Sequence, residues 1–340
     1  MNTSIIVYKN SYVLTRNGYF LIEDLNIKHQ IEIWEENKWS LVNIKKYNHS
    51  VDDIYKILLS DGCEVLCSNL QRLNTVANIN SETPEIQQIE NIKLNNLLYT
   101  YNFPIVEGSE KYNILYPYTH GYYCGCLNKI NKQNMLIFES NLTYINLEKD
   151  KQKIKSKIEI SGKYSIDKLK NTTIGLLKID MDQNITVPIN GNIENKLLWL
   201  SGLIDNNGFI TKLKDAKYLN ISVLTKKFAT EIKFLFNTLG INPNIYLKSD
   251  IRKFKSNLNE ISEKICNYWV ITLNSEDTNK IFIDYDLKLY YLEYNKLIYS
   301  IDQSINRYLS IKKINKMQLK KESYIIKNIN SCVINGVLIF

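Results

Sequence analysis

The 340-residue chain has no apolar run near the roughly 20 residues that a membrane-spanning helix requires. Its opening, MNTSIIVYKNSYVLT, lacks the basic stretch and apolar core of a secretory signal. Six cysteines are too few for a disulfide scaffold. Together these absences predict an intracellular, reducing location and no membrane partner. Histidine is scarce: His29, His49 and His120 stand alone in the sequence, so surface or internally satisfied rings are expected. Cys63/Cys67 and Cys124/Cys126 are close pairs, but zinc sites back such a pair with a second one or with histidines. Buried thiols are the expectation, with no metal.

What is present is an ordinary globular composition, 44% hydrophobic and 23% charged, which excludes wholesale disorder. The length allows two or three domains. The net charge of +8 is compatible with a polyanionic partner without requiring one. The 24 tyrosines match a composition rich in A/T-encoded residues and carry no functional weight.

The first hundred residues read as three hairpins, the signature of an all-β unit. Their turns are predicted at Asn17-Gly18, Glu35–Lys38 and Asp61-Gly62. Ile31, Ile33, Trp39, Leu41 and Ile44 are core candidates of the second hairpin, and residues 76–98 read as a polar connecting loop. From about Phe103 helix-like runs appear, in YTHGYYCGCLNK and NKLLWLSGLIDNNGFI. KKFATEIKFLFNTLGI spaces Phe228, Ile232, Leu235, Phe236 and Leu239 for an amphipathic helix capped by Gly240. NIYLKSDIRKF and YWVITLN read as strands, residues 151–170 are ambiguous, and the closing SYIIKNINSCVINGVLIF is again β-like with a turn at Asn335-Gly336.

Leu200–Gly208, LSGLIDNNG, resembles the signature helix of the LAGLIDADG homing endonucleases at six of nine positions. Read alone, the same stretch is a core helix with a glycine cap. The flanks resemble intein splicing domains, the Hint fold: YVLTRNGYFLIEDL the opening block, VLCSNLQRL the block that usually reads Thr-x-x-His, and SYIIKNINSCVINGVLIF the closing block. YNFPIVEG and YTHGYYCGC are similar to the endonuclease entry and first motif copy of ribonucleotide-reductase-type inteins. The resemblance implies an α+β protein: a split all-β Hint-like domain with an inserted two-copy LAGLIDADG endonuclease-like αββαββα domain. The expected boundaries are 1–98, 99–305 (copies about 103–190 and 191–305) and 306–340.

In that family two glycine-containing helices pack together, and each delivers a carboxylate to Mg²⁺ at the scissile phosphates. By resemblance those acid positions hold Cys126 and Asn207, so both carboxylates are missing. An amide is a weak Mg²⁺ ligand and a thiol a soft one. Asp205 is the fallback acid, but two residues earlier lies about 200° round the helix. The splicing positions fail likewise: Ile6 stands at the nucleophile and Gln71 at the histidine. A Met just upstream, and an end at Phe340 before any terminal His-Asn, lead to the expectation of a free-standing protein with no extein to join.

Two segments are basic. Asp205–Glu260 holds ten basic residues against five acids, and Arg307–Lys327 seven against Glu322 alone. By resemblance, Lys212, Lys214, Lys217, Lys248, Arg252, Lys253 and Lys255 would lie on a saddle-shaped sheet in the DNA major groove. A solvated face on a basic protein is the other reading. The expectation is a catalytically dead intein derivative that binds duplex DNA or serves as a protein subunit of a larger assembly. An active Mg²⁺-dependent endonuclease and a pure protein–protein module are the alternatives. No cofactor is expected, and Mg²⁺ only if the endonuclease is active. Cytoplasm, nucleus or a viral factory would suit such a protein.

Overall fold

The structure is a computed structural model. It describes residues 4–25, 29–47, 52–76, 85–94, 96–99, 102–126, 135–138, 158–160, 165–167, 172–179, 186–213, 216–255, 261–289, 308–319 and 321–340. It is rich in sheet with few helices, and divides into two compact units. Unit 1 comprises residues 1–108, 232–245 and 303–340; unit 2 comprises 109–231 and 246–302.

Unit 1 is built from ten N-terminal strands: β1 Ser4–Tyr8, β2 Tyr12–Thr15, β3 Gly18–Leu21, β4 Ile31–Glu35, β5 Lys38–Tyr47, β6 Asp52–Leu59, β7 Glu64–Ser68, β8 Arg72–Val76, β9 Glu85–Gln88 and β10 Leu97–Tyr99. Four C-terminal strands return to them: β19 Tyr308–Leu319, β20 Ser323–Lys327, β21 Cys332–Ile334 and β22 Val337–Ile339. One sheet runs β1-β20-β5-β4-β2-β21-β22 with β3 on β2; the other runs β7-β6-β19-β10-β8-β9. The two ends of the chain thus share both sheets. The predicted turns at Asn17-Gly18, Asp61-Gly62 and Asn335-Gly336 are all present, and Gly18, Gly62 and Gly336 have the positive φ that such tight hairpins require.

Strand alternation corrects two expectations. Val42 and Ile44 face the core of β5, so Leu41 points the other way and is 56% exposed. Residues 76–98 are no simple loop, since β9 and β10 fall within them and extend the second sheet.

Residues 232–245, expected in the interrupting αβ unit, group with unit 1. The reason is a buried polar cluster and an aromatic stack. The Lys233 Nζ donates to Asp61 Oδ2 at 3.0 Å, to Asn242 Oδ1 at 2.9 Å and to the Pro243 carbonyl. Lys233 and Asp61 are both dry, at 0% and 1% exposure. Phe234 stacks on Tyr19 with ring centroids 4.6 Å apart and touches Tyr12 at 5.2 Å. The Val106 N–H donates to the Thr238 carbonyl.

Unit 2 holds β11 Met135–Phe138, β12 Ile158–Ile160, β13 Ser165–Asp167 and β14 Thr172–Ile179 in one sheet. Its second sheet runs β15-β16-β18-β17, from Gly208–Leu213, Ala216–Val223, Asn244–Lys255 and Ile261–Leu273. Among the described residues the α-helices are α1 Pro117–Cys126, α2 Ile193–Asn207, α3 Lys226–Asn237 and the short α4 Ser275–Asn279. Pro117 opens α1 at the one position where its missing N–H costs nothing. The predicted amphipathic helix is α3, and Gly240 follows it at φ +69°.

Candidate functional site

The helices α1 and α2 cross at two glycines. A Cβ on Gly202 would lie 2.0 Å from the Tyr118 carbonyl oxygen, and one on Gly121 would lie 2.0 Å from that of Trp199. No other residue type allows backbones to approach so closely. The pair is clasped at both ends by asparagines. At the entrance, the Asn195 side chain accepts from the Ile114 N–H at 3.0 Å and donates to the Ile114 carbonyl at 2.9 Å. Asn192 caps α2 by accepting from the Asn195 N–H at 2.9 Å.

At the far end stand Asn206 and Asn207. Asn206 Nδ2 donates to the Tyr122 carbonyl at 3.0 Å, and Asn207 Nδ2 donates to the carbonyls of Gly125, at 2.8 Å, and Ser222, at 3.1 Å. The Gly125 carbonyl belongs to the last turn of α1, whose carbonyls have no partner within the helix, and the Tyr122 carbonyl lies one turn before it. A Cβ on Gly125 would fall 2.8 Å from that of Asn206, so the glycine makes room for this clasp.

Asp205, the fallback acid, is 5% exposed and accepts from the Tyr118 hydroxyl at 2.8 Å. It faces the packed interior between the helices, and it reaches α1 as Asn207 does. His120 is also internal. Its Nδ1 accepts from Trp199 Nε1 at 2.9 Å, which puts the ring proton on Nε2, and Cys124 Sγ lies 3.5 Å from the same nitrogen. Burial lowers its pKa to about 4. The side chain of Cys126 lies outside the described residues. Among those described, no three His, Cys, Asp or Glu side chains gather in a way that could hold a metal ion. An amide that donates to two carbonyls and a carboxylate buried on a tyrosine do not fit Mg²⁺, which requires accessible anionic oxygens.

Beyond α2 the sheet β15-β16-β18-β17 presents a cavity of about 350 Å³ lined by Phe209, Ser222, Leu224, Lys248, Asn267 and Tyr268, with Cys266 beside them. Tyr268 donates to Asp250 Oδ2 at 2.6 Å, and this bond raises the phenol's pKa. Lys248 is exposed and held above the usual lysine range, first by its hydrogen bond to Tyr268. Ser249 Oγ donates to Asn267 Oδ1 at 2.7 Å across the same two strands. Lys212 and Lys217 pair in register across β15 and β16, although nothing of their side chains is described. Arg252, Lys253 and Lys255 continue β17 with the same restriction, and Lys214 lies outside the described residues. The residues that sequence reasoning missed here are Tyr118, Asn206 and the Tyr268–Asp250 pair. Only the pairing of α1 with α2, and of β17 with β18, could have shown them.

In unit 1 the two positions assigned to splicing meet directly. Gln71 Nε2 donates to the Ile6 carbonyl at 2.8 Å, while its Oε1 accepts from the Ser68 N–H at 2.7 Å. Gln71 is 4% exposed. The next residue, Arg72, exchanges both backbone hydrogen bonds with Phe340. Cys63 and Cys67 are buried thiols outside any disulfide, and burial pushes the Cys67 thiol up.

No family model matches the chain. It is similar to the ribonucleoside-diphosphate reductase large subunit of Invertebrate iridescent virus 6, with 23% identity over 259 residues. That match covers 72% of this chain and 25% of the viral protein, so the chain spans about a quarter of its relative's length. The resemblance is to inteins that carry a LAGLIDADG-type endonuclease. Solved structures similar to this intein-like chain include the N-terminal LAGLIDADG domain of a DUF199/WhiA protein, at 13% identity and a TM-score of 0.33, covering 52% of this chain and 82% of that one. The gp41-1 intein matches at 21% identity and a TM-score of 0.22, covering 28% of this chain and 68% of that one. The transcription factor IIB Mja mini-intein matches at 12% and 0.20, covering 52% and 80%. Among the described residues of the intein-like chain no helix is long and apolar enough to cross a membrane.

Proposed function

We propose that the chain derives from an intein with a homing endonuclease, has lost both splicing and DNA cleavage, and is retained as a duplex-DNA-binding protein. Under this reading unit 1 is the split Hint-like domain and unit 2 the inserted two-copy LAGLIDADG-type domain. The observation that carries the loss of cleavage is Asn207. Its amide donates to the Gly125 and Ser222 carbonyls where the family presents a carboxylate to a metal. A carboxylate has no hydrogen to donate there, so the position now clasps the helix pair. Gln71 supports the loss of splicing in the same way, through its bond to the Ile6 carbonyl.

Retention of DNA binding is supported by the open sheet. Lys248 and Tyr268 stand exposed or half-buried around a cavity with Phe209, a mixture of charge, hydrogen-bonding groups and aromatic surface. Lys212, Lys217, Arg252, Lys253 and Lys255 lie on its strands. Phosphate contacts from such residues make affinity fall steeply with salt. The test has two arms on the full chain. Incubation of supercoiled plasmid with Mg²⁺ is expected to give no nicking, and retention on duplex DNA is expected to fall as salt rises. Nicking that disappears in Asn207→Ala would overturn the first part. Equal retention at all salt concentrations, or none at any, would overturn the second and favour a subunit role in a protein assembly.

A further inference from the structure

The basic segment 307–327 has no part in the function proposed above, and its end lines a groove of about 360 Å³ in unit 1. Asn10, Ser11, Lys56, Glu64, Met317 and Lys321 form the walls that matter. Lys56 is paired with Glu64 at 2.9 Å. Lys321 is half-buried, and among the described residues no carboxylate lies within ion-pair distance of its ammonium. The acids nearby are committed elsewhere: Glu23 accepts from the Asn10 N–H at 3.0 and 3.2 Å, and Glu322 holds Lys9 and Lys46. Burial holds Lys321 below the usual lysine range, opposed by the charge of Glu23 and helped to a lesser degree by that of Lys56. Ser11 is 1% exposed, and its hydroxyl makes no hydrogen bond with any described residue. Asn335 is not available as a ligand, because it accepts from the Tyr12 N–H and donates to the Glu64 carbonyl.

Two ammonium groups and a free hydroxyl therefore converge on a groove whose one carboxylate is already paired. We propose that this groove binds a phosphate group, bridged between Lys56 and Lys321 with the Ser11 hydroxyl donating to a third oxygen. A partly desolvated ammonium with no carboxylate in ion-pair contact is costly, and a phosphate oxygen relieves it. The phosphate is either free, on a small molecule, or part of a nucleic-acid backbone. For the backbone source, the same strand β19 carries Lys312 and Lys313, both exposed at its bulge. The site belongs to unit 1 and stands or falls independently of the sheet in unit 2.

The test is calorimetric titration of the full chain with inorganic phosphate against chloride of matched ionic strength. Saturable binding is expected in the wild type, weakened about tenfold or more in Lys321→Gln and in Lys56→Gln. Lys321 holds no ion pair in the fold, so its variant should fold normally. Lys38→Gln, an exposed lysine on a different hairpin, should leave binding unchanged. A second arm titrates a short duplex. Competition by phosphate, with loss in Lys321→Gln, assigns the group to a nucleic-acid backbone; undisturbed duplex binding in that variant assigns it to a free or small-molecule phosphate. Absence of saturable phosphate binding, or equal binding in Lys321→Gln, would overturn the proposal.

Discussion

Gln71 in the β unit and Asn207 at the end of α2 occupy different folds, yet they do the same thing. Each stands where the resemblance places a reactive group, and each donates an amide hydrogen to a backbone carbonyl at 2.8 Å. The difference lies in what surrounds them. Gln71 lies between the two sheets of unit 1, donating to the Ile6 carbonyl on β1 and held through its own oxygen by the Ser68 N–H on β7. Asn207 sits at a helix end and serves two carbonyls, that of Gly125 in the last turn of α1 and that of Ser222 in β16. A neutral amide satisfies polar backbone without charge, and such a group can stand at a buried position without disturbing the core beneath it.

The packed interiors of the two units give the largest expected effects. Lys233→Met should cost about 3–5 kcal/mol in urea unfolding, because it leaves Asp61 charged and buried without its partner. The double variant Lys233→Met with Asp61→Asn should recover part of that loss; no recovery would mean that Asn242 and Pro243 carry the site. In the other unit, Gly202→Ala forces a Cβ onto the Tyr118 carbonyl and should cost about 3 kcal/mol or more. A variant as stable as the wild type would show that α1 and α2 do not approach as described.

The amides themselves should matter less. Asn207→Asp turns a donor into an anion facing two carbonyls, a loss of about 1–3 kcal/mol at neutral pH. That deficit should shrink as pH falls and the carboxyl becomes protonated, which a urea series from pH 7 to pH 4 reads directly. Gln71→Ala should cost about 1–2 kcal/mol, since the Ile6 carbonyl and the Ser68 N–H both lose a partner. If Asn207→Ala and Gln71→Ala both prove neutral, the two amides are bystanders and the comparison fails.

Smallest near neutrality is the effect of His120. Its folded pKa of about 4 lies below the usual histidine value because burial disfavours the charged ring. The unfolded chain therefore binds the proton more readily, and His120 favours folding fully only above about pH 6.5. That contribution is lost as pH falls towards 4. Replacing His120 with Gln should flatten this part of the stability–pH curve; an unchanged slope would assign it to other groups.

The local features of the fold were legible because their causes are local. Asn17-Gly18 and Asn335-Gly336 state their turns, and the spacing from Phe228 to Leu239 states its helix. Leu41 misled because a strand residue's direction depends on register, which Val42 and Ile44 set from across the sheet. At the candidate site, Asn207 and Gln71 could be named from the motif, but their partners could not. The Gly125 and Ile6 carbonyls are 82 and 65 residues away in sequence, and backbone acceptors leave no mark on residue identity. Asp205 was read as unsuitable from helix geometry alone, while its tyrosine partner, 87 residues earlier, emerged only from the packing of α1 on α2.

The placement of Lys233 and Phe234 bears on descent. Related genes that shed an inserted stretch in one step must keep a host able to fold without it. Here removal of residues 109–302 would also take away 232–245, the cation opposite Asp61 and the ring beside Tyr19. A chain cut from 108 to 303 is thus expected to leave Asp61 buried without its cation and Tyr19 without its ring partner, so the two units are bound to be kept together.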